Sequence, residues 1–297
     1  MDQRWLTERF EENRPRLRGL AYRVLGSLSE AEDAVQEAWL RLNRIDTHTV
    51  DNLGGWLTTV VSRVCLDMLR SRKSRREEPI DTLVTEVRSV GGEGADPEGE
   101  AVLADSVGVA LLVVLDTLTP AERLAFVLHD LFALPFDEIG AIVGRSPAAA
   151  KQLASRARRR VRGSPAPSDI GRARQRELVE AFLRAARAGD LDGLLAVLDP
   201  DAVVRIEAAA RIDAPPAEAG MARELRGAST WAKQLIALSR GLGYVQPAVI
   251  DGSVGLILAP RGKLSRVLTF TFANAKVTRV DVLGDPARLR ELDIAVL

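Results

Sequence analysis

Between Ser146 and Arg159 the chain sets out Lys151, Gln152, Ser155, Arg156, Arg158 and Arg159. Guanidinium and ammonium groups neutralise phosphates, and Gln, Ser and Lys can hydrogen-bond to base edges in a major groove. Such side chains need one helix to carry them and a second to hold the first against DNA. Residues 134–162, LPFDEIGAIVGRSPAAAKQLASRARRRVR, predict that pair. Phe136, Ile139 and Val143 share a face of the first helix, and Gly140 leaves room for another helix to cross it. Gly144 allows a left-handed turn. Ser146 is placed to cap the second helix through its hydroxyl, and Pro147 suits a first helical position because it has no N–H to leave unpaired. Ala150, Leu153, Ala154 and Ala157 then recur at i, i+3, i+4, i+7, a narrow apolar stripe fit for close packing. A solvated arginine-rich helix would show the same charge. The Gly-x-Ser-Pro turn is what favours a helix-turn-helix that enters DNA.

A second polar set precedes it. Trp56 to Lys73 has helical period, with Trp56, Leu57, Val60, Val61, Val64 and Met68 expected inside and Thr58, Thr59, Ser62, Arg63, Arg70, Arg72 and Lys73 outside. A polar loop from Ile45 to Gly55 leads into it. Hydroxyls and arginines beside such a loop suit a single strand gripped by its backbone; an ordinary solvated face fits them equally well. Upstream, SEAEDAVQEAWLRLNR predicts a helix with Ala31, Ala34, Val35, Ala38, Trp39 and Leu42 buried, and with Asp33, Gln36, Glu37 and Arg41 free to meet a partner. Ser29 and Glu32 read as its capping box. Trp5 to Leu25 is a further amphipathic helix, with Pro15 a point of interruption.

At 297 residues and formal net charge +0, the chain has room for several cores and no global electrostatic sign. Charge is segregated instead. From Glu77 to Asp105 every charge but that of Arg88 is negative, and residues 77–100 read as an acidic, Gly-rich linker; from Lys151 to Arg162 every charge is positive. Helical period resumes from Ala101 to Thr117, and Thr119, Pro120 and Glu122 start another helix. Cys65 is the single cysteine, which excludes an internal disulfide and a thiolate metal cluster, and its apolar neighbours point to a core role. No signal peptide precedes the first helix, and the apolar run from Val107 to Leu115 is too short to span a bilayer. A soluble cytoplasmic protein without membrane contact is expected.

After the short linker SPAPS, 164–168, the composition changes to α+β. Helices are expected over Arg172–Ala188, Asp190–Leu198 and Thr230–Arg240. Strands are expected over Val203–Ile206, Tyr244–Ile250, Gly255–Ala259, Ser265–Phe272 and Ala275–Leu283, with turns at Gly252 and Asn274. His48 and His129 both lie outside this tail. Its acids Asp201, Glu207, Asp213, Asp251 and Asp281 each also fit a turn, a strand edge or a cap, so acid–base catalysis is not expected there.

Taken in order, these motifs resemble the extracytoplasmic-function sigma factors of bacterial RNA polymerase, specifically the subgroup with a carboxy-terminal SnoaL-like domain. EDAVQEAWLRL is similar to the clamp-binding helix of sigma region 2, and GGWLTTVVSRVCLDMLRSR to its promoter-melting helix. LTPAERLAFVLHDLFALPFDEIGAIVGRSPAAAKQLASRARRRVR resembles sigma region 4. RELVEAFLRAARAGDLDGLLAVLDPDAVVRIE, Arg226–Gly227 and DPARLRELDIAVL are similar to the SnoaL-like tail. The resemblance implies a multidomain chain: region 2 over 1–75, an acidic linker over 76–100, region 4 over 101–163, a linker over 164–171, and a cone-shaped α+β domain over 172–297.

It also implies roles. Asp33, Gln36, Glu37, Leu40 and Arg41 would meet core RNA polymerase. Asp46, Asn52, Trp56, Thr59, Arg63 and Arg70 would hold the melted −10 strand. Ser146, Lys151, Gln152, Ser155, Arg156, Arg158 and Arg159 would contact the −35 duplex. The acidic linker would occupy the RNA-exit path. No cofactor, metal or catalytic residue is implied; an anti-sigma protein or a small ligand is a possible further partner. Two alternatives stay open from the sequence: a duplex-binding regulator independent of polymerase, and a SnoaL-like enzyme fused to a DNA-binding module.

Overall fold

The computed structural model describes residues 3–44, 52–75, 108–163, 171–210, 222–237, 242 and 244–297. Asp46, the acidic linker and Asp213 lie outside them. The described residues form two compact units, one holding 3–44, 52–75 and 115–159, the other 108–114, 160–163 and the residues from 171 onward. The first unit therefore joins the amino-terminal helices and the helix-turn-helix, which the sequence divides into two domains.

In the first unit α1 (Gln3–Leu25), α2 (Leu28–Leu42) and α3 (Leu53–Arg75) pack against one another. Leu6, Phe10, Leu17, Leu20 and Val24 of α1 are buried with the Ala31, Ala34, Val35, Ala38 and Leu42 stripe of α2, and Phe10 lies 4.8 Å from the Trp39 ring. α1 runs through Pro15 unbroken; the proline is exposed, where water can serve the carbonyl its ring leaves unbonded. The cap of α2 is Ser27, which accepts from the Glu30 N–H, so the expected Ser29–Glu32 capping box is not formed. Gly26, at φ 73°, turns the chain directly before Ser27, two residues earlier than a cap at Ser29 requires.

α4 (Val109–Asp116) is followed by α5 (Pro120–Phe126), a π-turn (Val127–Leu131), α6 (Phe136–Val143) and α7 (Pro147–Arg162). The start of α5 is the expected one: Thr119 and Glu122 form a reciprocal capping box with Pro120 in the first turn.

The second unit is α+β. Two helices, α8 (Arg172–Ala188) and α9 (Leu191–Val197), precede β1 (Leu198–Ile206) and β2 (Arg223–Arg226), and α10 (Ala228–Ala237) precedes β3 (Val245–Ile250). Then follow β4 (Ser253–Leu258), β5 (Arg266–Ala273), β6 (Lys276–Leu283), α11 (Pro286–Glu291) and β7 (Ile294–Ala295). The seven strands form one mixed sheet in the order β2-β1-β6-β5-β4-β3-β7, in which β1 and β6 run parallel and every other pair antiparallel. Alternation along β5 sends Phe270 into the core, where it meets Phe182 edge-on at 5.5 Å; Trp231 stacks on Phe182 at 5.2 Å. Turns fall at Asp251–Gly252 and Asn274–Ala275, all four with positive φ. β2 and β7 are absent from the expected strands. One is four polar-flanked residues at a sheet edge and the other is two residues long, so neither carries a usable period.

The second unit also takes in both ends of the α4–α7 segment. The Val109 N–H donates to Gln246 Oε1 at 2.8 Å, and the Val296 N–H donates to the Val161 carbonyl at 2.9 Å.

Candidate nucleic-acid interface

The α6–α7 turn is built as the sequence requires. Gly144 adopts φ 70°, ψ 43°, and Ser146 Oγ accepts the Ala149 N–H at 3.2 Å. A Cβ on Gly140 would stand 2.7 Å from the Arg145 carbonyl oxygen and 3.2 Å from the Pro147 nitrogen, so the helices meet there backbone to backbone. Ala150, Ala154 and Ala157 are fully buried under α7. Lys151, Gln152, Ser155, Arg156 and Arg159 are exposed on it, as are Arg145 and Arg162.

Two of the expected −35 residues are engaged within the protein. Ser146 is exposed but spends its hydroxyl oxygen on the cap. Arg158 Nε donates to Asp130 Oδ1 of the π-turn at 2.6 Å and is half-buried. That pair ties α7 to the element before α6, a constraint the charge pattern gave no sign of.

On α3, Arg63 and Arg70 are exposed, while Trp56 and Thr59 are half-buried. Asn52 is exposed and its Oδ1 accepts the Gly55 N–H at 3.0 Å, so it closes the first turn of α3. Thr58 and Ser62, expected outside, are buried: Thr58 Oγ1 donates to the Gly54 carbonyl at 2.7 Å and accepts from Arg16. Arg72, also expected outside, is half-buried, pairs with Glu30 and donates to the Leu25 carbonyl. The outer face of α3 is narrower than expected because α5 and α6 pack on this helix too. Arg63 Nη2 reaches the Ala141 carbonyl of α6 at 3.4 Å.

α2 turns the expected polar face outward. Asp33, Gln36, Leu40 and Arg41 are exposed, and Glu37 accepts from Arg41 at 2.8 Å in an i,i+4 pair. Leu40 is 44% exposed on this face.

Elsewhere, Cys65 is buried as expected, and burial pushes its thiol up to about 12. In the second unit Glu207 accepts the Gly284 and Asp285 N–H groups and pairs with Arg288, Asp251 accepts the Asp293 N–H, and Asp281 pairs with Arg279. These acids hold turns and edges. Gln175, buried, accepts the Val254 N–H at 2.9 Å and stitches α8 to β4. Among the described residues no helix is long and apolar enough to cross a membrane.

Comparison with known proteins bears on the same elements. Residues 9–75 match the Sigma-70 region 2 family, and residues 108–161 match the Sigma-70, region 4 family. The ECF RNA polymerase sigma factor SigJ of Mycobacterium tuberculosis is 38% identical over 291 residues, covering 93% of this chain and 91% of its own. The probable ECF RNA polymerase sigma factor SigI of the same species is 36% identical over 273 residues, covering 92% and 91%. The crystal structure of M. tuberculosis SigJ is 32% identical, covers 95% of this chain and 98% of its own, and superposes with a TM-score of 0.45. With two sigma regions in series and relatives that match it nearly end to end, the chain belongs to the ECF family of RNA polymerase sigma factors.

Proposed function

We propose that this chain directs core RNA polymerase to promoters, reading the −35 duplex with α7 and holding the opened −10 strand with α3. The observation that carries the −35 assignment is the exposed Lys151, Gln152, Ser155, Arg156 and Arg159 face of a helix whose underside is alanine. Phosphate contacts from Arg156 and Arg159 position the helix; Gln152, in its amino-terminal half, and Ser155, just past its midpoint, are assigned to base edges. Arg158 is a positioning residue, because Asp130 already holds it. Asn52, Trp56, Thr59, Arg63 and Arg70 are assigned to the −10 strand, with Asp46 in the loop before them. Asp33, Gln36, Glu37, Leu40 and Arg41 are assigned to polymerase; a polar face with one exposed leucine suits a charged helical partner.

The α+β tail acts as a regulatory domain without catalysis of its own. Glu207, Asp251 and Asp281 support this reading, since each is occupied by a backbone amide or an arginine. Binding of the tail's own partners or ligands would bias the arrangement of the sigma regions.

Transcription in vitro with purified core polymerase tests the proposal. Promoter-dependent product is expected, and its absence on genomic promoter pools would refute the initiation role. A duplex-binding regulator that never meets polymerase would fail a pull-down with core enzyme, whereas a sigma factor with the α2 face described here is retained.

A further inference from the structure

Arg266, at the start of β5, is 7% exposed, and no carboxylate among the described residues pairs with it. Nε donates to the Ala210 carbonyl at 2.8 Å, Nη1 reaches Ser265 Oγ at only 3.4 Å, and Nη2 has no partner among the described residues. Glu207, three residues before Ala210, is already committed to the Gly284 and Asp285 N–H groups and to Arg288. Burial holds the Arg266 guanidinium below its ordinary pKa, with no acid to raise it again. A buried cation without a counter-charge is costly, and an arginine with one edge of its fork open is shaped to take a carboxylate by two hydrogen bonds.

The ground beside it is apolar. Side chains alternate along β5, so Arg266 shares a sheet face with Leu268 and Phe270. Leu258 of β4 lies opposite Arg266, and Leu256, Leu268, Val282 and Ile206 form the next row across β4, β5, β6 and β1. Four strands about 4.8 Å apart make that row about 14 Å wide. One row further on, Phe270, Val280 and Val204 are buried in the core with Phe182 and Trp231. Nearer Arg266 the cover thins: Leu258, Leu268, Val282 and Ile206 are only half-buried. Ala210 folds back over Gly284 at the end of β6, where a Cβ would stand 2.6 Å from its Cα, and this brings its carbonyl within reach of Arg266.

We propose that the tail binds a small amphiphilic carboxylate, its acid group on the open Nη edge of Arg266 and its apolar body along Leu258, Leu268, Val282 and Ile206. Such a ligand supplies the missing counter-charge and also covers side chains that the core leaves half-buried. A neutral apolar molecule does only the second, and a short hydrophilic anion only the first. The bound carboxylate would serve as an input to the regulatory role of the tail; that consequence rests on the regulatory reading above, whereas the binding does not.

The experiment titrates the full chain calorimetrically with straight-chain alkanoates from butanoate to octanoate, and with octanamide as the uncharged match. One octanoate per chain is expected, with octanamide bound at least about tenfold more weakly because it forms no charge-assisted pair. Affinity should rise about fourfold with each added methylene. Arg266→Met keeps an unbranched stem and removes the charge, so it should bind octanoate no better than octanamide. A urea midpoint shows whether that variant folds, and if it does not, the comparison of acid with amide on the wild type decides alone. Equal affinity for acid and amide, affinity independent of chain length, or no saturable binding at millimolar octanoate overturns the site. So does a folded Arg266→Met that keeps the wild-type preference for the acid. Transcription with core polymerase, with and without octanoate, is read separately and is expected to change in the wild type alone. If octanoate binds as expected and transcript does not move, the site stands and the regulatory reading fails.

Discussion

Gly140→Ala adds one methyl group to the turn that presents α7, and its effect follows from two opposed magnitudes. Alanine is favoured over glycine inside a helix by about 1 kcal/mol, so on propensity alone α6 would gain. The new Cβ, however, would lie 2.7 Å from the Arg145 carbonyl oxygen and 3.2 Å from both Ser146 C and Pro147 N, all backbone atoms of the turn. Backbone cannot rotate away as a side-chain end can, and forcing packed segments apart costs roughly 1–3 kcal/mol, or more. The net expectation is destabilisation of up to about 2 kcal/mol, from the difference of those two terms, with Pro147 and the start of α7 displaced. Gly19→Ala is the internal control. Its Cβ would meet Arg23 Nη1 at 3.1 Å, the far end of a flexible side chain, so the propensity gain should survive and raise stability. Urea midpoints of both variants give the sign, and binding to a −35 duplex gives the consequence: Gly140→Ala weakened about tenfold or more, a loss equivalent to about 1.4 kcal/mol, and Gly19→Ala unchanged. If Gly140→Ala raises the midpoint as Gly19→Ala does, the close backbone crossing does not govern the turn and the reasoning fails.

Three further outcomes are expected. Arg156→Ala should flatten the log–log salt dependence of duplex binding by about 0.9, one phosphate's worth of counterions; Arg158→Ala, whose guanidinium is held by Asp130, should change that slope less and be reproduced in part by Asp130→Ala, a pattern checked by binding titrations from low to moderate salt. Leu40→Asp should leave the urea midpoint near wild type, because the residue is 44% exposed, and should abolish retention on core polymerase in a pull-down; retained binding would remove Leu40 from that surface. Cys65 concerns pH. Its folded-state pKa of about 12 lies above the ordinary thiol value, so its stabilising contribution is complete below about 8.5 and is lost as pH rises toward 12. The urea-midpoint difference between wild type and Cys65→Ala should be flat below about pH 8.5 and change progressively in favour of Cys65→Ala above it, whereas a flat difference across the alkaline range would mean that the thiol is not held buried.

What the chain declares locally is legible without coordinates. Gly144, Ser146 and Pro147 encode a left-handed residue, a cap and a first helical position within a few residues of one another, and Thr119 with Glu122 encodes a reciprocal cap; such signals depend on backbone sterics and nearest hydrogen bonds alone. The exposed polar face of α2 and the alternation along β5 are equally local, set by periods of 3.6 and 2 residues. The misplaced cap of α2 shows the margin of such reading: Ser27 and Ser29 are chemically alike, and the turn at Gly26 decides between them.

Tertiary structure decided where neighbouring elements converge. Thr58 and Ser62 are buried because α3 is packed by α5 and α6 as well as by α1 and α2, and a single-helix period counts only one buried side. The parallel pairing of β1 with β6 joins residues far apart in sequence, so no hairpin signal announces it. Asp130 and Arg158 are 28 positions apart, and Arg123 on its helix looks like any solvated arginine until region 2 closes over it. The sequence by itself determined which residues could read DNA. Only the packing determined which of those side chains are free to do so, because burial and pairing are properties of a residue's neighbours in space.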